Sequence, residues 1–146
     1  MLVVRFSSMM LIFRNVLNVS SNHWLSLTAF LLLLVTALSL WPLPSLPEVP
    51  GSDKTHHLMA YAVVAYPVAL RSPARWWLIV VGVVLYGGKI ELIQPFVNRY
   101  GEWMDFFAST AGVATGVLLG QQALVLRVGA AILYMGQIGV FHKILQ

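Results

Sequence analysis

The sequence predicts an all-α integral membrane bundle of four transmembrane helices, with a fifth short apolar helix at the C-terminus left open. Three observations carry that expectation. Hydrophobic residues make up 59% of the 146 and charged residues only 10%, and the mean hydropathy of +0.81 lies outside the range of soluble domains. Long apolar runs recur along the chain. Proline-rich or arginine-flanked turns separate them. A chain of this length has room for one compact bundle and none for a soluble catalytic domain beside it, so any chemistry must be built from helix ends and short loops. Cysteine is absent, which excludes disulfides, thiol nucleophiles and thiolate metal sites. The formal charge of +4 comes from basic residues scattered singly between apolar runs, a pattern of topology signals, and no nucleic-acid partner is expected.

Residues 1–23 carry Arg5 and Arg14 among apolar residues and end in the polar run NVSSNH. Arg14 breaks the apolar stretch that a signal peptide needs, so these residues are expected to form an uncleaved basic arm on the cytoplasmic surface. Trp24 to Trp41 is free of charge and bracketed by tryptophans suited to the two interfaces, which makes it the first span. The segment PLPSLPEVPGSD cannot continue as helix. Ser52 or Asp53 then caps a second helix running to about Leu70, short for a span and interrupted by Pro67. Arg71, Pro73 and Arg75 form a turn, Trp76 to Phe96 a third span, and Trp103 to about Leu126 a fourth, closed by Arg127. Residues 24–127 thus form the membrane domain. Residues 128–146 form an apolar tail, interfacial or a short span, because the run Val128 to Phe141 is short for a full crossing.

Orientation follows from charge. With Arg5, Arg14, Arg71, Arg75 and Arg127 on one side, every acid (Glu48, Asp53, Glu91, Glu102, Asp105) falls on or towards the other. The positive-inside rule makes the basic side cytoplasmic, so the chain is expected to be a multi-pass inner (plasma) membrane protein with a polar pocket facing outward.

That pocket is drawn from three stretches. Asp53, His57 and Tyr61 repeat every fourth residue along one face of the second helix. Glu91 and Gln94 share a face at the outer end of the third span. Arg99, Glu102 and Asp105 follow at intervals of three, and Asp105, Ser109, Gly112 and Gly116 continue down one face of the fourth. Gly112, Gly116 and Gly120 make consecutive G-x-x-x-G steps that admit a neighbouring helix. Ionisable groups at such depth must be paired or hydrated, which marks them as candidates for function.

The motifs D-K-x-x-H-x-x-x-Y (Asp53, Lys54, His57, Tyr61), E-x-x-Q (Glu91, Gln94) and R-x-x-[DE]-x-x-D (Arg99, Glu102, Asp105), followed by Gly112 and Gly116, resemble those of the VanZ-like membrane proteins. The resemblance covers roughly Trp24 to Gly120. Two departures stand out: Ser109 replaces the family's usual asparagine, and Lys89 is an additional charge. The resemblance implies a four-helix membrane domain, a link in some members to glycopeptide (teicoplanin) resistance, and action on lipid or lipid-linked envelope substrates.

Lys54 and Arg99 are the cations suited to a phosphate or other anionic head group, with Tyr61, Gln94 and Glu102 as further binding candidates. Asp53, Glu91 and Asp105 are candidate acids and bases, because crowded carboxylates in a partly dry site share protons unequally. His57 is a candidate proton shuttle or phosphoryl acceptor. A divalent metal held by His57 and carboxylates is a further alternative, but the spacing matches no recognised metal motif, so neither metal nor cofactor is expected. Structural roles are open to the same residues: Asp53 as a helix cap, Arg99 with Glu102 and Asp105 as an ion-pair cluster, Glu91 with Gln94 or Lys89 as a buried pair. The sequence therefore leaves two functions standing: an enzyme acting on a lipid or lipid-linked head group, and a non-catalytic protein that binds an envelope lipid or glycopeptide-like ligand or serves as an assembly partner. A reporter fused after Arg127 is expected to be active on the cytoplasmic side, and an external signal would reverse the orientation.

Overall fold

A computed structural model describes residues 23–41, 52–97, 99 and 101–144, with side chains up to 137 and excepting that of Ser52. The basic arm before His23 and the loop 42–51 lie outside the described residues. Among the described residues, four α-helices follow in order: α1 (His23–Leu40), α2 (Ser52–Arg71), α3 (Trp76–Ile93) and α4 (Trp103–Ile144), with a 3-10 turn, Gln94–Val97, between the last two. Trp24–Val125 form one compact unit, and the section of α4 from Leu126 onward belongs to another. Only the first unit carries the features developed below.

Among the described residues, three stretches are long and apolar enough to cross a membrane: His23–Leu40, Trp76–Val97 and Trp103–Gln137. Their outward side chains are large and apolar, among them Phe30, Leu33 and Leu38 on α1, Leu85 on α3, and Leu118 and Leu126 on α4. A surface of that kind suits hydrocarbon. Three hydroxyls in these helices are satisfied locally: Thr28 donates to the Trp24 carbonyl at 2.8 Å, Thr36 to Leu32 at 2.7 Å, and Thr110 to Phe106 at 2.9 Å. Back-bonding of this type keeps a polar group tolerable inside an apolar helix.

Helix α2 is not among the three, because its opening turns, SDKTHH, are too polar. Asp53 in its first turn and Arg71 in its last both match the helix dipole. The helix runs on through Pro67, which is buried. It begins at Ser52, so Asp53 sits inside the first turn and not ahead of it. Ser72, at φ 42°, adopts the left-handed conformation that commonly ends a helix, its N–H bonding the Val68 carbonyl at 2.9 Å. Gln121 of α4 secures this end by donating to the Ala69 carbonyl at 3.2 Å and the Ser72 hydroxyl at 2.7 Å.

One expectation changes at the C-terminal end. The fourth helix does not close at Arg127 but continues unbroken to Ile144, a single helix of 42 residues, and the separate short helix is its final section. No proline interrupts the stretch, and one arginine limits a membrane crossing without disturbing helical hydrogen bonding.

All four helices meet in one apolar core of Val35 (α1), Tyr61, Val64 and Ala65 (α2), Val83 (α3) and Val113 (α4). Among helices surrounded by lipid, apolar burial alone gives little preference for association, and close packing must supply it. Packing of this close kind joins α2 and α4. A Cβ at Gly112 would collide with the Leu58 carbonyl, and one at Gly116 with the Ala62 carbonyl. At Gly120 it would stand 2.8 Å from both the Tyr66 carbonyl oxygen and the Ala69 Cβ. Each successive glycine thus receives the next turn of α2. Replacing Gly116→Ala is expected to lower stability by about 1–3 kcal/mol through overpacking. Gly82→Ala, whose added Cβ meets nothing within 4 Å, should leave stability unchanged or raise it by up to about 1 kcal/mol. Denaturant unfolding in detergent micelles compares the two.

Candidate functional site

The register set by the glycines delivers His57 to its partners. Leu58, the next residue, lies against Gly112, so the His57 imidazole meets α4 at Ser109, with Nδ1 3.1 Å from the Ser109 hydroxyl. Nδ1 is also 3.7 Å from Glu91 Oε1 on α3. Nε2, on the other edge of the ring, lies 3.9 Å from Asp53 Oδ1 one turn earlier on α2. The ring is 7% exposed and lies nearly parallel to that of Tyr61, at 9° with centroids 6.4 Å apart.

Glu91 joins the start of α4 to the end of α3. Its Oε2 accepts the backbone N–H of Glu102 at 3.3 Å, one of the donors that a helix N-terminus leaves unpaired. Gly101 makes this approach feasible: a Cβ there would strike the Glu91 carbonyl and press on Pro95. A glycine is needed here for proximity of backbones.

Asp105 is 2% exposed, and its Oδ1 accepts no hydrogen bond. Lys54 Nζ is 4.0 Å from that oxygen and donates instead to Glu102 Oε2 at 3.1 Å, where both side chains are partly open to solvent. Lys54 stands outside the three apolar spans. Donor atoms of Asp53, His57 and Asp105 all lie within 4.8 Å of one another.

Seven of the residues singled out in the sequence are therefore gathered: Asp53, Lys54, His57, Tyr61, Glu91, Glu102 and Asp105. Gln94 and Arg99 are placed differently. The Gln94 amide is buried and donates to the Ser39 carbonyl at 3.3 Å, and the Arg99 guanidinium reaches the Trp41 carbonyl at 3.5 Å. Both receive carbonyls from the C-terminal end of α1 that the helix itself cannot satisfy. Lys89 is exposed on α3. Two participants were not among the candidates. Ser109 has a sequence signal, four residues after Asp105 on the same face, and the structure gives it the His57 contact. The Glu102 backbone N–H has none, because a main-chain donor leaves no residue-type signature.

No protein-family model, curated protein or solved structure matches this chain.

The Tyr61 hydroxyl is fully buried without a hydrogen-bond partner, close to Gly87, where a Cβ would stand 3.2 Å from it. A buried hydroxyl in that condition costs about 1–3 kcal/mol. Tyr61→Phe is accordingly expected to hold or raise stability by up to about that amount, as read from denaturant unfolding. A loss of stability would mean that the hydroxyl has a partner in the folded protein.

Proposed function

We propose that this chain is a VanZ-like multi-pass protein of the inner (plasma) membrane whose polar pocket receives a phosphate-bearing head group of a lipid or lipid-linked envelope intermediate. In this reading α2 is a fourth crossing. Its 20 residues reach about 30 Å, the thickness of the hydrocarbon core, and only its polar opening turns set it apart from the other three. The N-terminus and the Arg71–Arg75 turn are cytoplasmic, and the ends bearing Asp53, Glu91 and Asp105 face outward.

The observation that carries the proposal is the His57 cluster. A buried imidazole sits between the Ser109 hydroxyl and carboxylates of two helices, with a lysine at the solvent margin. Lys54 supplies the point charge for a head-group phosphate, exchanging its Glu102 partner for the ligand. His57 and the neighbouring carboxylates can then pass a proton to or from an oxygen of the bound group, which is the requirement of head-group transfer or hydrolysis. Arg99, engaged with α1, contributes to binding only after leaving the Trp41 carbonyl.

A second reading has its own support. Lys54 already pairs with Glu102, and Glu91 already holds the Glu102 N–H, so part of the cluster works as a clamp between helix ends. That reading makes the protein a non-catalytic binder of an envelope lipid or glycopeptide-like ligand, or an assembly partner.

Lipid mass spectrometry of cells with and without the gene separates the two. The enzymatic reading expects a head-group species to appear or vanish, and expects Asp105→Asn and Glu91→Gln to abolish the change while the protein still accumulates in the membrane. If conservative substitutions at Asp53, His57, Glu91, Arg99 and Asp105 all leave the lipid profile at wild type, catalysis is excluded and the binding role stands.

A further inference from the structure

We infer that Asp53, His57 and Asp105 form a site for a divalent first-row transition ion, zinc by donor chemistry. One nitrogen and two carboxylates supply donor atoms within 4.8 Å of each other. Zinc bonds to histidine nitrogen and carboxylate oxygen at about 2.0–2.2 Å, which places its ligands about 3–3.5 Å apart. Closing the present separation requires small side-chain rotations. Asp53, exposed and in the first turn of α2, is free of packing that would oppose one.

Two further observations point to an ion beyond the mere proximity of acids. The first is Asp105, a member of this donor group, whose carboxylate is 2% exposed and whose Oδ1 accepts no hydrogen bond. Lys54 Nζ forms a long ion pair with it at 4.0 Å but donates its hydrogen bond to Glu102, so the oxygen keeps an unused lone pair. A buried carboxylate oxygen in that condition is costly, and a cation beside it removes the cost. The second is the arrangement behind His57. Its Nδ1 is engaged by the Ser109 hydroxyl at 3.1 Å and lies 3.7 Å from Glu91, which leaves Nε2, the nitrogen on the Asp53 side, as the ligand atom. Metal-binding histidines characteristically donate their other ring N–H to an oxygen, which fixes tautomer and ring direction. The nearly parallel Tyr61 ring restrains the same imidazole.

Imidazole with carboxylates favours zinc or manganese over magnesium, which keeps its waters and prefers all-oxygen surroundings. Three protein ligands also leave a coordination position for water or for an oxygen of a bound molecule. The ion site stands on this geometry and does not require the head-group reading.

The test uses tag-free full-length protein in detergent, stripped with chelator, then equilibrated with zinc and separately with manganese. Bound metal is read by mass spectrometry after desalting, and affinity by calorimetry. One zinc ion per chain is expected, with manganese bound more weakly. Asp53→Asn and His57→Gln should abolish binding, and His56→Gln, at an exposed neighbouring histidine, should leave it unchanged. Ser109→Ala should weaken affinity by about 10–100-fold, the usual effect of losing an outer hydrogen bond to a ligand. Asp53 is exposed, so Asp53→Asn keeps the fold and isolates the ligand effect, which the thermal unfolding profile checks. Absence of bound metal in the wild-type protein, or an ion retained in Asp53→Asn and His57→Gln, would overturn the assignment. Because metal content is read without any lipid, a negative result leaves the head-group proposal to its own test.

Discussion

The contact between the backbones of α2 and α4 is the constraint on which the rest depends. Three glycines spaced by four let the carbonyls of Leu58, Ala62 and Tyr66 approach α4 more closely than any side chain permits. Packing of this kind replaces the solvent-driven association that lipid-embedded helices lack. It also fixes register, because a slip of one residue would drive a Cβ or a bulky side chain into a carbonyl. With register fixed, His57 lands at Ser109, and Gln121 reaches the C-terminal end of α2.

The polar cluster is built on that register. Burying an imidazole and two carboxylates in an apolar bundle is tolerable only when partners arrive from neighbouring helices. Some do: Glu91 holds the Glu102 N–H, and His57 holds Ser109. Among the described residues, two buried side-chain atoms remain without hydrogen bonds, the Tyr61 hydroxyl and Asp105 Oδ1. A clamp between helix ends explains the paired atoms but not these. Their cost is the physical reason to look for a ligand or an ion, since groups left unsatisfied inside a fold commonly mark where something else binds.

The helices themselves were largely legible. Tryptophan-bracketed apolar runs, prolines and isolated arginines place α1, α3 and the start of α4, because each of these signals acts through its immediate neighbours in the chain. The helix itself runs on past Arg127, because a charge bears on where a bilayer crossing ends and not on where helical hydrogen bonding does. The backbone has no reason to stop there, and α4 continues to Ile144. In α2 the polar first turns lower its apolar character, so a helix of full length lacks the composition of a span.

The sequence by itself determined that the chain is helical and apolar, that Asp53, Glu91, Glu102 and Asp105 stand at helix ends, and which residue types accompany them. Local spacing was enough for those facts, since residues three or four apart on one helix share a face. Tertiary structure alone decided the partners. Glu91 and Gln94 share a face in sequence, yet Glu91 turns to His57 and the start of α4 while Gln94 and Arg99 turn to the carbonyls ending α1. Asp53, His57 and Asp105 match no metal spacing because the third member comes from another helix, brought within 4.8 Å only by the glycine contact. Proximity across helices depends on how backbones pack, and a linear spacing does not encode it.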